Sequence, residues 1–148
     1  MGALLRTKPA SLRAGGIIIH NNKILLMHVV GAGPDLQEFY LVPGGGQEEG
    51  EVLEDTCVRE VKEECGIDVD VNDLEFVVVD EKRVAFFFSC MYTGGEVELG
   101  GPEKHIHESD SSEQITIEWV TITDTPDLPI APQTTKEALL RYLREKGI

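Results

Sequence analysis

Glu60, Glu63 and Glu64 stand at i, i+3 and i+4 in a stretch whose apolar positions recur at helical spacing. Their carboxylates therefore emerge together on one turn of a helix. Three like charges so close repel one another, and water does not reward that arrangement; a hard divalent cation with oxygen ligands resolves it. Arg59, beside them, carries a rigid fork of donors that can brace a neighbouring carboxylate. Ahead of the helix, Gly44-Gly45-Gly46 lets the backbone come close to a ligand. Carbonyls there can join a metal shell, while the helix N-terminus favours anionic oxygens. A phosphate bridged to a metal suits these groups. Taken singly, each signal is weak, because Glu-rich helices are commonly solvated faces and glycine runs are commonly plain turns.

Together they meet every specified position of the pattern G-x5-E-x7-R-E-U-x-E-E-x-G-U, where U is a bulky aliphatic residue. The matching residues are Gly45, Glu51, Arg59, Glu60, Val61, Glu63, Glu64, Gly66 and Ile67. The segment resembles the Nudix box, and the chain resembles the Nudix (MutT-like) hydrolase family. Tyr40-Leu41-Val42-Pro43-Gly44-Gly45 and Glu118-Trp119-Val120 are similar to the segments that flank the box in that family. The resemblance implies an α/β/α sandwich around a mixed β-sheet, with the box as a loop–helix–loop. It implies that Glu60, Glu63 and Glu64, helped by the Gly44 carbonyl, hold Mg2+ or Mn2+. Gly45, Glu51, Arg59 and Gly66 would support the site. The implied reaction is hydrolysis of a diphosphate bond in a nucleoside diphosphate linked to another group. Catalysis falls to Glu63, Glu64 or a later carboxylate. A different class of function, a non-catalytic nucleotide sensor using the same pocket, remains the alternative.

For the later carboxylate the candidates are Glu103, Glu108, Glu113 and Glu118. Glu118 adjoins Trp119 inside a strand, and Glu103 follows Gly100-Gly101-Pro102 far back in a loop. Glu113, at the loop–strand junction, is both reachable and held, so it is the expected general base, with Glu108 second. Substrate contacts are open; Tyr40, His105 and His107 are candidates, the histidines as cations touching a phosphate. Phe86-Phe87-Phe88 alternates faces and reads as core packing. The proline accompanying ADP-ribose specificity is missing between Asp68 and Tyr92, and no tyrosine of the diadenosine-polyphosphate type precedes Ser89. The arginine pattern of coenzyme A enzymes is absent from Gly31 to Tyr40 as well. A nucleoside triphosphate or a nucleotide sugar is left.

The elements that must position these groups follow from pattern. Ala14–Ile19 and Ile24–Val30 surround an Asn-rich break and read as a β-hairpin. Gly31–Asp35 is a loop, and Phe39–Val42 a short strand ending at Pro43. Val52–Cys65 is a helix stopped by Gly66. Leu74–Val79 and Arg83–Tyr92 read as strands, with Asn72-Asp73 as turn chemistry and Gly94–Ser112 as a long loop. Ile115–Ile122 is a strand, the prolines at 126, 129 and 132 keep the next stretch extended, and Thr135–Glu145 is a closing helix. Strands and helices interleave, so residues 1–148 read as one α/β domain, with 1–12 a loosely ordered N-terminal segment.

The 148 residues carry 13 Lys+Arg against 27 Asp+Glu, a formal charge of −14. Long nucleic acids are gripped by clustered Lys and Arg, and no such stripe exists, so the expected partner is a small phosphorylated nucleotide-like molecule. No apolar run approaches the roughly 20 residues that cross a bilayer, and Ala3-Leu4-Leu5 is too short for a signal-peptide core. A cytoplasmic protein, monomer or homodimer, is expected. Cys57, Cys65 and Cys90 lack paired spacing and read as reduced, buried thiols.

Overall fold

The computed structural model describes residues 11–97 and 113–148. Strands β1 (Ser11–His20) and β2 (Lys23–Ala32) form the expected hairpin. Its two-residue turn puts Asn21 at φ 54° and Asn22 at φ 63°. Both lie in the left-handed region that a tight hairpin demands and asparagine tolerates. The two strands pair directly only at Ile19–Ile24 and His20–Lys23, then part. Into the opening runs the next segment: β3 (Gln37–Leu41) pairs antiparallel with β2, and β4 (Gly44–Gly46) crosses over to pair antiparallel with β1. The glycine segment, at which the sequence expects the preceding strand to stop, is therefore itself a short strand. Helix α1 (Leu53–Cys65) follows.

The sheet is completed by β5 (Ile67–Val79), β6 (Arg83–Gly95) and β7 (Gln114–Thr121). The order along its main path is β3-β2-β1-β6-β5, with β4 on β1 and β7 on β2. The β1–β6 pair is parallel and the others antiparallel, so the sheet is mixed. A 3-10 segment (Ile122–Asp127) leads to helix α2 (Gln133–Glu145).

Core packing makes the layers. Ile18 and Leu25 pack beneath α1 with Cys57, Val61, Cys65, Phe88 and Cys90. Ile17, Ile24, Leu26 and Phe87 turn to the opposite face, where Leu139 and Leu143 of α2 cover them. Adjacent β1 residues thus feed opposite layers, as the two-residue strand period requires, and the architecture is an α/β/α sandwich. Ile18 is fully buried under the helix that carries the acidic cluster. Its truncation to Ala would cost about 2–5 kcal/mol and loosen that helix. Phe86, Phe87 and Phe88 divide between the two layers as their alternation predicts.

Four sequence expectations are corrected. β5 begins at Ile67, not Leu74, and Asn72-Asp73 lies inside it. The strand register shifts between Val71 and Asp73. There the Asp73 amide donates to Ser89 Oγ and the Ser89 hydroxyl donates to the Asp73 carbonyl. That exchange satisfies the bulge from the neighbouring strand, so no turn is needed. Ser11 and Leu12 already pair with Arg83 and Val84, so β1 starts within the segment expected to be loose. The stretch after β7 winds into the 3-10 turn instead of staying extended, closed by Thr125 Oγ1 donating to the Ile122 carbonyl. Gly94 and Gly95 belong to β6, and the remainder of the expected loop from 98 to 112 lies outside the described residues. No helix among the described residues is long and apolar enough to cross a membrane.

Candidate active site

Helix α1 ends as its sequence dictates: Gly66 takes φ 80°, where a side chain would strain, and its N–H donates to the Lys62 carbonyl. The other end rests on Glu51, just ahead of the helix. Arg59 Nε and Nη2 donate to the two Glu51 oxygens at 2.8 and 2.9 Å. The buried Thr56 hydroxyl and the Glu48 amide donate to the same carboxylate. Arg59, the Thr56 hydroxyl and the Glu48 amide, with burial opposing them, pull the Glu51 pKa from 4.5 down to about 2. The Glu51 and Glu60 carboxylates in turn raise the already high pKa of the Arg59 guanidinium.

Arg59 also reaches the acidic turn. Its Nη1 donates to Glu60 at 2.8 Å and to Glu63 at 3.3 Å, and Nη2 donates to the Gly46 carbonyl at 3.0 Å. One guanidinium thus ties the glycine strand, Glu51 and two of the three clustered glutamates together. Glu64, only 9% exposed, accepts the Gly44 N–H at 2.8 Å. Gly45 matters for its missing side chain, since a Cβ there would overlap the Glu60 carboxylate. β4 and the acidic turn of α1 therefore meet face to face.

For a divalent cation, the donor set is right in kind: carboxylates on one helix turn beside a backbone whose carbonyls are close by. Among the described residues no three acidic, His or Cys side chains already close on a single point. Arg59 and the Gly44 amide hold those oxygens instead. In donor type the residues suit a hard cation.

Beside Gly44 and Glu64 opens a cleft of about 400 Å³ between the two parting halves of the sheet. Met27 and Leu41 line it from one side, Ala85 and Phe87 from the other, and Arg13, Arg83 and Thr135 lie along it. Sequence reading missed these cleft residues, because strand register brings them together and spacing along the chain does not.

Tyr40, a candidate for substrate contact, sits in the same cluster as Phe87 and Ala85. It packs with the Leu26 and Leu139 cluster, and its ring stacks on His28 with centroids 4.2 Å apart. Its backbone bonds Pro129 and Ala131 on either side. Among the described residues it is absent from the cleft lining. Glu113 is half-buried just ahead of β7, where Gln114 pairs with Val30 at the open end of the hairpin. That is the end of the wedge where β1 pairs with the glycine strand. Glu103, Glu108, His105 and His107 lie outside the described residues.

With this geometry in view, a profile of the NUDIX domain matches residues 10–142. The chain is 28% identical over 122 residues to the Nudix hydrolase YvcI of Bacillus subtilis (strain 168), covering 76% of this chain and 66% of that protein. It is 36% identical over 88 residues to nudix hydrolase 1 of Caenorhabditis elegans, covering 57% of this chain and 21% of that protein. The chain thus spans less than two thirds of the length of either curated relative. In fold it is similar to a NUDIX hydrolase from Nitrosomonas europaea, with TM-score 0.76 at 20% identity, over 96% of this chain and 74% of that one. It is similar also to the MutT NUDIX hydrolase from Burkholderia pseudomallei, with TM-score 0.67 at 24% identity, over 90% and 98%. An ADP-ribose pyrophosphatase from Streptococcus suis matches with TM-score 0.66 at 23% identity, over 93% and 92%. On the match across residues 10–142, the chain belongs to the Nudix family.

Proposed function

We propose that this protein is a metal-dependent pyrophosphohydrolase that cleaves the diphosphate of a nucleoside diphosphate linked to another group, a nucleoside triphosphate or a nucleotide sugar. The observation that carries the proposal is the single Arg59 guanidinium that spans Glu51, Glu60, Glu63 and Gly46. A structure maintained only for stability gains little from gathering like charges around one turn.

In this reading Glu60, Glu63, Glu64 and the Gly44 carbonyl hold Mg2+, with Mn2+ as a substitute. Such a cation, when bound, offsets the charge of the diphosphate and lowers the pKa of an attacking water. The residues of the chain do the rest. The glycine strand keeps side chains away from the phosphates, and Arg59 fixes the rotamers of Glu60 and Glu63. Glu113 accepts the proton of the water as its oxygen bonds to phosphorus, with Glu63 and Glu64 as the other carboxylates in reach of that role. The bridging P–O bond breaks, and its electron pair leaves with the departing phosphate oxygen.

The test is a panel of nucleoside triphosphates and nucleotide sugars incubated with Mg2+, with the products resolved by chromatography. Glu113→Gln and Glu108→Gln are assayed on the best substrate. Loss of tenfold or more in kcat for Glu113→Gln, equivalent to about 1.4 kcal/mol of barrier, supports Glu113. An unchanged Glu113→Gln beside a tenfold slower Glu108→Gln moves the role to Glu108.

A further inference from the structure

The cleft beside Glu64 has a positive far end in a strongly negative protein. Ser11 pairs with Arg83 and Arg13 with Ala85 on neighbouring parallel strands, so both arginines fall on one face of the sheet. Both line the same cleft as Gly44 and Glu64. Arg13 is half-buried and makes no ion pair among the described residues. Arg83 Nε lies 3.5 Å from Asp80 Oδ2, a long contact that leaves donors of its fork available. Asp80 itself is occupied: its Oδ1 accepts the Lys82 and Arg83 amides at 2.8 and 3.0 Å. Two guanidiniums therefore face one carboxylate at this end.

The start of α2 walls the cleft beside them. Pro132, at its N-cap, offers no side-chain cap, and Ala131, Pro132 and Thr135 line the cleft. Their backbone donors are already engaged, the Ala131 N–H by the Tyr40 carbonyl and the Thr135 N–H by the Pro132 carbonyl, and Pro132 has none, so the two guanidiniums are the cationic groups of this wall. Arg13 pairs across β4 with Gly46, while Gly44, whose amide holds Glu64, pairs with Gly15. Those two pairs are one strand repeat apart, roughly 7 Å. A ligand held at the acidic turn needs only a short extension to reach Arg13.

We infer that Arg13 and Arg83 select substrates bearing a further anionic group beyond the diphosphate that the acidic turn takes. Resting on the proposed pyrophosphohydrolase activity, this narrows the substrate class to a nucleoside diphosphate joined to a third phosphate or to a carboxylate-bearing group. Arginine's planar fork suits either anion. A neutral sugar in that position leaves Arg13 without an ionic partner among the described residues and Arg83 with Asp80 alone.

The experiment compares UTP and UDP-glucuronate with the neutral UDP-glucose. Dissociation constants are taken by NMR in EDTA, following the Arg Nε–H signals, and KM and kcat are taken with Mg2+. The wild type should bind each anionic ligand at least tenfold more tightly than UDP-glucose, with the Arg13 signal moving. The same ratio should appear in KM. Arg13→Gln should bring the ratio close to one, and Arg13→Lys should restore part of it. Lys146→Gln, the same charge change on an exposed residue paired with Glu75, should leave the wild-type ratio intact. Preference for UTP alone assigns the site to a terminal phosphate, and preference for UDP-glucuronate alone assigns it to a carboxylate. Equal binding of all three ligands, or equal losses on all three in Arg13→Gln, overturns the inference. Absence of turnover with Mg2+ on all three contradicts the hydrolase reading instead, and the EDTA constants still decide the role of Arg13.

Discussion

Arg59 grips both carboxylate oxygens of Glu51 through Nε and Nη2, at 2.8 and 2.9 Å, while its remaining nitrogen bonds Glu60. A single side chain thus sets the distance between the loop ahead of α1 and the acidic turn on it. Lysine, a point charge without a fork, cannot hold the two together. Arg59→Lys should lower kcat at least about tenfold and lower Tm by several degrees, since charged hydrogen bonds are worth about 1.5–3 kcal/mol each. Thermal melts alongside steady-state rates check this.

The same pair predicts an acid dependence. The Glu51 pKa is depressed in the folded state to about 2 from an ordinary 4.5. Its contribution is therefore present above pH 4.5 and is lost as pH falls from 4.5 towards 2. The Tm difference between wild type and Glu51→Gln should shrink across that window. A difference that stays constant from pH 6 to pH 3 would show that Glu51 is not held as described.

Gly45→Ala separates the site from the fold. The added methyl would overlap the Glu60 carboxylate, which is the far end of a flexible side chain and can swing aside. The fold should tolerate that, with Tm within a few degrees of wild type. Displacing Glu60 should raise the Mg2+ concentration needed for half-maximal activity by tenfold or more. Magnesium titrations of activity for the two proteins make the comparison.

On the opposite layer, His28 Nδ1 lies 2.5 Å from Glu118 and Nε2 lies 2.9 Å from Glu38. Burial works to lower the His28 pKa, but the hydrogen bonds and charges of Glu38 and Glu118 together raise it above 6.5. The stabilisation is fully present below pH 6.5 and is lost as pH rises through the higher folded-state value. Glu38 is more than half exposed, so screening trims the pair to about 1 kcal/mol, or roughly 2–4 °C in Tm for a domain of this size. Melts of His28→Gln should differ most from wild type below pH 6.5 and converge at alkaline pH.

What could be read from sequence was local. Glu60, Glu63 and Glu64 share a helix turn because three and four residues fix the angle between them, and Gly66 stops that helix with its own backbone freedom. Asn21-Asn22 is legible for the same reason. Elements that depend on a distant partner were hidden. Gly44–Gly46 becomes a strand only because β1 parts from β2 and offers an edge. Asn72-Asp73 looks like a turn, yet Ser89, across the sheet, absorbs the bulge. Tyr40 adjoins the glycine strand in sequence, while its ring stacks on His28 across β2 and β3. Arg13 and Arg83 are 70 residues apart and meet through the parallel register of β1 and β6.

The central claim is that the acidic turn hydrolyses a phosphoric anhydride with the help of a divalent cation. The most direct measurement follows nucleotide products from the best substrate for wild type and Glu64→Gln, with Mg2+ and with EDTA, both proteins being folded by circular dichroism. The account predicts turnover by the wild type with Mg2+, none with EDTA, and a loss of at least about 100-fold in kcat for Glu64→Gln, the scale of lost transition-state charge stabilisation. Binding without turnover by the wild type, turnover that survives EDTA, or near-native rates for Glu64→Gln would contradict it.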